Sequence, residues 1–237
     1  WCSEQDKYSG LIDVSKLKTK DVKKTVVKLS ARTDSLQKEQ LPAFFKYVRQ
    51  IQNPVISAFV QTLLLTGARR NELVGLKWTE LDLQWNSMTI RDKATSSGSD
   101  SGYRVIPLTP YVASLLINLP RRNEWVFSTP SGVSGKLTDP RKSVEPALIA
   151  AGIEGLTLHG LRRSFSNLSE WVEIPTGVVA QIMGHKPSAT AEKHYKQRPL
   201  DLLRKWHTTL EAWILEQAKI DLPIENKQPL TLIRNGI

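Results

Sequence analysis

Cysteine is nearly absent. Cys2 stands alone, so no intramolecular disulfide can brace the fold, and a reducing compartment is the expected setting. No apolar run approaches the roughly 18 residues that a membrane helix needs, which excludes a helical spanning segment. Nothing near Trp1 reads as a signal peptide, and a start at Trp rather than Met leads us to expect a fragment of a longer protein. There is no Walker loop, no Gly-x-Gly-x-x-Gly and no Gly-x-Ser-x-Gly elbow, so nucleotide hydrolysis, dinucleotide binding and serine hydrolysis lack their usual signatures. Histidine is scarce. His159, His185, His194 and His207 include no pair at i, i+4, and Cys2 is remote from all of them, so no metal site is expected.

Positive charge, by contrast, is abundant. Against 23 Asp and Glu stand 33 Lys and Arg, a net +10 on 237 residues. Such a balance points to a polyanionic partner, nucleic acid being the commonest, although a merely basic soluble protein has the same arithmetic. The densest basic stretch, Lys16 to Lys28, is interrupted by Val and Thr. Any binding surface must therefore be assembled by folding. The length suits one large domain with a remnant of another.

Residues 1–30 show no sustained period and read as the end of a preceding element plus a basic linker. From Leu36 onward Leu41, Phe44, Phe45, Val48 and Ile51 recur at helical spacing. Pro54 opens a second apolar helix that ends at Thr66-Gly67, and a short helix from about Arg69 to Leu76 follows. Residues 78–108 alternate in the manner of about three strands, with a turn at Trp85-Asn86-Ser87 and a Ser/Gly-rich loop from Ala94 to Gly102. Helices are expected near 110–118, 139–151, 158–173, 176–183, 188–195 and 199–219, and 221–237 reads as an extended tail. The fold class predicted is mainly α with a small antiparallel β-sheet.

Three groups of residues have chemical interest. Thr157 is placed to cap a helix on which His159 and Arg162 share a face, and donors at a helix N-terminus suit a phosphate. Arg69 follows a helix-ending glycine, with Glu72 one turn later to orient it. Met183-Gly184-His185 precedes Tyr195 by ten residues, and both His185 and Tyr195 are followed by lysine. Taken alone, His159 and Arg162 are better read as a surface histidine with a solvated arginine, and Arg69 with Glu72 as an ordinary surface salt bridge, which is worth little.

Taken in order, Thr66-Gly67-Ala68-Arg69-Arg70-Asn71-Glu72-Leu73, Leu158-His159-Gly160-Leu161-Arg162-Arg163-Ser164-Phe165, Met183-Gly184-His185 and His194-Tyr195 resemble the tyrosine recombinase family, also called phage integrases. The likeness covers about residues 33–215. The stretch Pro199 to Leu215, with Trp206 and Trp213, is most similar to integrases of prophages and genomic islands. The resemblance implies that residues 31–220 form a catalytic domain and that 1–30 are what remains of a preceding core-binding domain and its linker. It implies a catalytic set of Arg69, Lys93, His159, Arg162, His185 and Tyr195. In that set the arginines bind nonbridging phosphate oxygens, Tyr195 is the nucleophile, and Lys93 protonates the departing 5′ oxygen. His159 assists proton transfer at the tyrosine, and His185 donates to a nonbridging oxygen. Lys93 is the only lysine between Lys77 and Lys136, though its loop is longer and richer in Ser and Gly than is usual in the family.

Fixed cations suit this chemistry because attack on a phosphodiester builds charge on its oxygens, and arginine meets phosphate through a planar fork. Tyrosine, with an ordinary pKa of about 10, needs its proton removed or its anion stabilised. A 3′-phosphotyrosyl link conserves the bond energy, so neither a cofactor nor a metal is implied. The implied function is site-specific recombination that integrates or excises a mobile element. Its partners would be double-stranded DNA, further copies in a tetrameric synapse and accessory DNA-bending proteins, with no membrane, in the cytoplasm of a bacterial host. Two rivals share parts of the pattern: type IB topoisomerase-like relaxation, and a DNA-binding module with an inert site.

Overall fold

Leu41, Phe44, Phe45 and Val48 lie on one side of a helical turn pattern, and all four are buried along one face of α1 (Leu41–Val48). The computed structural model describes residues 33–91, 102–130, 133–185 and 197–221. The chain divides between Thr33 and Asp34, and every described residue but Thr33 lies in the second unit, Asp34–Ile237. The expected linker at 1–30, the helix at 188–195 and the tail beyond Asp221 lie outside the described residues.

The next helix, α2 (Pro54–Thr66), has no polar face: every residue from Val55 to Thr66 is buried. Its start is built from Asn53, whose side chain accepts from the Val55 N–H at 3.0 Å, and from Pro54, whose missing N–H has no partner to lose there. A helix buried on every side belongs in the middle of a core, and its polar side chains Ser57, Gln61 and Thr66 are hydrogen-bonded there. α2 is packed by α1 on one side and by α4 (Pro110–Ile117) and α6 (Leu158–Ser169) on others.

After the short α3 (Arg70–Val74) and a 3₁₀ turn at Trp78–Glu80 come β1 (Leu81–Asp82), β2 (Ser87–Arg91) and β3 (Tyr103–Pro107), an antiparallel sheet in the order β1-β2-β3. The β1–β2 turn closes on Asp82, whose carboxylate accepts from the Gln84 and Trp85 N–H groups, and Asn86 takes the left-handed conformation at φ 47°. The register pairs Met88 with Ile106, Ile90 with Arg104 and Arg91 with Tyr103. Side chains alternate across a strand, so Ile106 and Arg104 share the core face while Tyr103 and Val105 face solvent. An arginine therefore points inward from β3.

The remaining helices are α5 (Arg141–Ala150), α7 (Thr176–Met183) and α8 (Leu200–Gln217). Between α4 and α5, where no element was expected, isolated bridges pair Lys77 with Trp125 and Ser128 with Lys136. The helix expected at 158–173 ends as α6 at Ser169 and runs on as a 3₁₀ turn to Val172, closed by Glu173 at φ 52°. Trp85 and Trp171 are more than half exposed, and Trp171 stacks on Trp213. α8 packs against β3, α1, α6 and α7. It carries two buried polar side chains. Glu211 accepts from the N–H groups of Tyr111 (2.8 Å) and Val112 (3.2 Å) and from the Thr109 hydroxyl, satisfying the first turn of α4 from another element.

The second is His207, fully buried, whose Nε2–H donates to the Leu65 carbonyl at 2.7 Å. Burial pushes its pKa down to about 4 from an ordinary 6.5. The unfolded chain therefore takes up this proton before the native one does, and native stability falls as the pH drops from 6.5 through about 4. The shift corresponds to about 3 kcal/mol. Comparing urea unfolding of the unsubstituted chain and His207→Gln isolates this group from Glu211, Glu72 and Asp34, which titrate in both. The gap between the two free energies should change by about that amount across the window in favour of the Gln variant; a pH-independent gap contradicts the assignment.

Candidate active site

Two helices end close together, and their carbonyls organise the site. α2 ends at Gly67, φ 60°, and α7 at Gly184, φ 72°. At Gly67 a side chain is excluded twice over: the backbone is left-handed, and a Cβ would lie 2.6 Å from the Phe165 ring. Helix C-termini leave carbonyls without intrahelical donors and carry partial negative charge, so cations belong there. Arg162, on α6 and only 4% exposed, donates from Nη1 to Gly67 O at 2.6 Å and Met183 O at 2.8 Å. Its guanidinium thus bridges the ends of α2 and α7.

Arg69 sits at the N-cap of α3, two residues beyond Gly67. Its backbone N–H donates to Glu72 Oε2 at 2.8 Å and its Nη1 to Glu72 Oε1 at 2.6 Å, while Nη2 reaches Gly184 O at 3.4 Å. The expected orienting role of Glu72 is thus present in the structure. The Arg69 side chain remains 39% exposed and Glu72 only 5%, so the cation faces outward from a buried anchor.

Glu72 also accepts from Arg104 Nη2 at 2.7 Å, a residue with no part in the sequence expectation. Arg104 Nε donates to Ile182 O at 3.0 Å. Three successive carbonyls at the end of α7, those of Ile182, Met183 and Gly184, therefore accept from Arg104, Arg162 and Arg69 in turn. Burial alone would push the Glu72 carboxyl up, but the hydrogen bond and charge of Arg104, followed by the bonds from Arg69, hold it below the ordinary carboxylate range.

α6 begins as expected, with Thr157 Oγ1 accepting from the Gly160 N–H at 2.9 Å. Asp34 reinforces that start by accepting from both the N–H and the hydroxyl of Thr157 at 2.9 and 2.8 Å. It also pairs with the Arg163 guanidinium, which ties α6 to the chain ahead of α1. Gly160 is needed here, because a Cβ would come 2.3 Å from Asp34 Oδ2. Arg70, likewise, donates to the Thr138 carbonyl. The imidazoles of His159 and His185 face solvent. Partial desolvation first, then the charge of Arg163 and Arg162, holds His159 below its ordinary pKa. His185 is lowered by desolvation, then by Arg162, Arg69 and Arg104. Both rings therefore favour the neutral form more than an ordinary histidine does.

Of the six residues expected to act together, Arg69, His159, Arg162 and His185 gather around the ends of α2 and α7. Lys93 and Tyr195 lie outside the described residues. The chain before and after the Tyr195 segment is bonded to α7: His185 N–H donates to Ala180 O at 2.9 Å, and Arg198 exchanges hydrogen bonds with the Gln181 side chain at 3.0 and 3.1 Å. Among the described residues no three of His, Cys, Asp or Glu come together to hold a metal, and no helix is long and apolar enough to cross a membrane. Asp34 carries no local signal, since its partners lie more than 120 residues away. Arg104 does carry one, as the charged residue in phase with Ile106 on a strand that is otherwise apolar on that face.

Residues 34–199 match the phage integrase family. Over 230 residues the chain is 50% identical to the prophage integrase IntF of Escherichia coli strain K12, covering 94% of this chain and 48% of that protein. The chain thus spans about half the length of this curated relative. Among solved structures it resembles the integrase from mycobacterium phage Brujita, with a TM-score of 0.55 at 21% identity over 81% of this chain and 64% of that one. A similar likeness joins it to the XerH site-specific recombinase bound to difH substrate in a pre-cleavage complex, with a TM-score of 0.54 at 24% identity over 75% and 54% of the two chains. Both likenesses concern the fold.

Proposed function

This chain belongs to the phage integrase family, and on that premise we propose that it breaks and rejoins DNA strands in site-specific recombination through a 3′-phosphotyrosyl intermediate on Tyr195. The observation that carries the reading is the convergence of Arg69 and Arg162 on the carbonyl ends of α2 and α7, with His159 and His185 near enough to feel both charges and both cations anchored before any phosphate arrives. Donors set in place in advance need no reorganisation as charge builds on the nonbridging oxygens. Residues 31–220 act as the catalytic domain, preceded by the remnant and linker of 1–30 and followed by the tail from 221.

In the proposed reaction the Tyr195 oxygen attacks phosphorus and the bond to the 5′ oxygen breaks. His159, whose pKa is lowered and whose neutral form is therefore favoured, is able to accept the tyrosine proton. His185 donates an N–H to a nonbridging oxygen, and Lys93 gives the departing 5′ oxygen its proton. Reversal with another strand's 5′ hydroxyl rejoins the DNA. Exchange between two duplexes requires one tyrosine for each strand cut, which is the reason to expect a tetramer assembled on DNA. The reaction would take place in the cytoplasm of a bacterial host.

A duplex nicked close to the cleavage point loses its short 5′ product and traps the adduct. The chain should form a band of DNA-linked protein that survives denaturation; no adduct on any attachment-site DNA overturns the reading. The same substrate tests Lys93. Lys93→Ala should slow cleavage of ordinary DNA by ~10²-fold or more and recover when the bridging 5′ oxygen is sulfur, because a thiolate leaves without a proton. Arg69→Ala should show no such recovery. Equal impairment of Lys93→Ala on both substrates removes Lys93 from the general-acid role.

A further inference from the structure

The sheet and the arginine cluster are joined by one side chain. Arg104 projects from the core face of β3, opposite Ile90, and only 9% of it is exposed, too little for a contact with DNA. It bonds to Glu72 and to the Ile182 carbonyl. Its guanidinium also fills the space beside Gly184, where a Cβ would lie 2.7–2.9 Å from three of its atoms. The distances around Arg69 show what this arrangement does. The bond from Arg69 to Gly184 O is long at 3.4 Å, whereas those to Glu72 are 2.6 and 2.8 Å. Glu72 is therefore the firm hold on Arg69, and whatever fixes the Glu72 carboxylate fixes the Arg69 guanidinium.

We propose that Arg104 is a positioning residue that sets the Arg69 guanidinium through Glu72, so that β3 and the arginine cluster share one frame. The proposal rests on the reading of Arg69 as a phosphate ligand. Glu72 Oε2 is shared between the Arg69 N–H and Arg104 Nη2, so loss of Arg104 leaves a buried carboxylate with one cation and freedom to turn. Arg69 then keeps its charge and loses its aim. A displacement of about 1 Å at such a group costs on the order of 10²-fold in rate.

Single-turnover cleavage of the nicked duplex, with DNA affinity and thermal melting measured alongside, separates positioning from general stability. Arg104→Ala should cleave ~10- to 100-fold more slowly with unchanged affinity. In an Arg69→Ala background the same change should add less than about twofold, since a residue acting through Arg69 has nothing left to position. Arg104→Lys, which keeps the charge beside Glu72 but not both bonds, should recover part of the rate, and it carries the cycle if the Ala variant is unfolded at the assay temperature. Unchanged cleavage, or a full multiplicative loss in the double variant, overturns the proposal. Absence of adduct from the unsubstituted chain overturns the strand-transfer reading instead. In that case the Arg69 Nε–H resonance decides: broadening in Arg104→Lys supports positioning, and an unaltered signal refutes it.

Discussion

Tyr195→Phe should yield no covalent protein–DNA product while retaining DNA affinity, because the ring stays and the attacking oxygen goes. The control is chosen from the tyrosines the structure describes. Tyr111 is unsuited to replace Tyr195: it is buried, its hydroxyl donates to Gln61 Oε1 at 2.7 Å, and burial pushes its pKa up. Tyr103 is exposed, but strand alternation turns it to the face opposite Arg104 and the carbonyl ends of α7. Tyr103→Phe should therefore form adduct at the rate of the unsubstituted chain. An adduct from Tyr195→Phe, or its loss from Tyr103→Phe, would move the nucleophile elsewhere.

Substitution of Arg162 carries the second large effect, and it has two separable parts. Arg162→Ala removes a fixed cation from the site and should slow cleavage by ~10²- to 10³-fold. It also leaves Gly67 O and Met183 O without their donor, costing ~1–3 kcal/mol for each buried carbonyl left unsatisfied. Arg162→Lys separates the two. An ammonium can still donate to one or both carbonyls, so melting should return most of the way. It lacks the planar fork that spans carbonyls and phosphate together, so cleavage should remain at least ~10-fold slow. Normal cleavage by Arg162→Lys would show that charge alone suffices and that the bridge between α2 and α7 has no part in the reaction.

His159 and His185 illustrate how far local sequence reaches. Their proximity to Arg162 and Arg69 was expected from motif resemblance, and the structure brings all four together. The lowering of their pKa values was not legible, because it arises from partial desolvation and from guanidinium groups, several of them on other elements. Phosphate binding would add negative charge and raise both pKa values, so the histidines are poised to gain proton affinity when substrate arrives.

Helices and their limits were largely written in local pattern. The spacing of Leu41, Phe44, Phe45 and Val48 specifies the buried face of α1, Gly67 specifies the end of α2, and Thr157 specifies the start of α6, since each depends on neighbours within a turn or two. Three strands followed from alternation and turn residues for the same reason. What tertiary structure alone decided is how those elements meet. Glu211 caps a helix about 100 residues away, and Asp34 braces the start of α6 from 123 residues before it. Carbonyls at the end of α7 receive Arg104, Arg162 and Arg69 from three separate elements. Such contacts leave no periodic trace, because a buried donor needs only an acceptor within about 3 Å and is indifferent to where in the chain that acceptor lies. Sequence by itself named the candidate residues for the chemistry; packing decided how Arg69 and Arg162 are held, and brought Arg104 onto the Glu72 carboxylate.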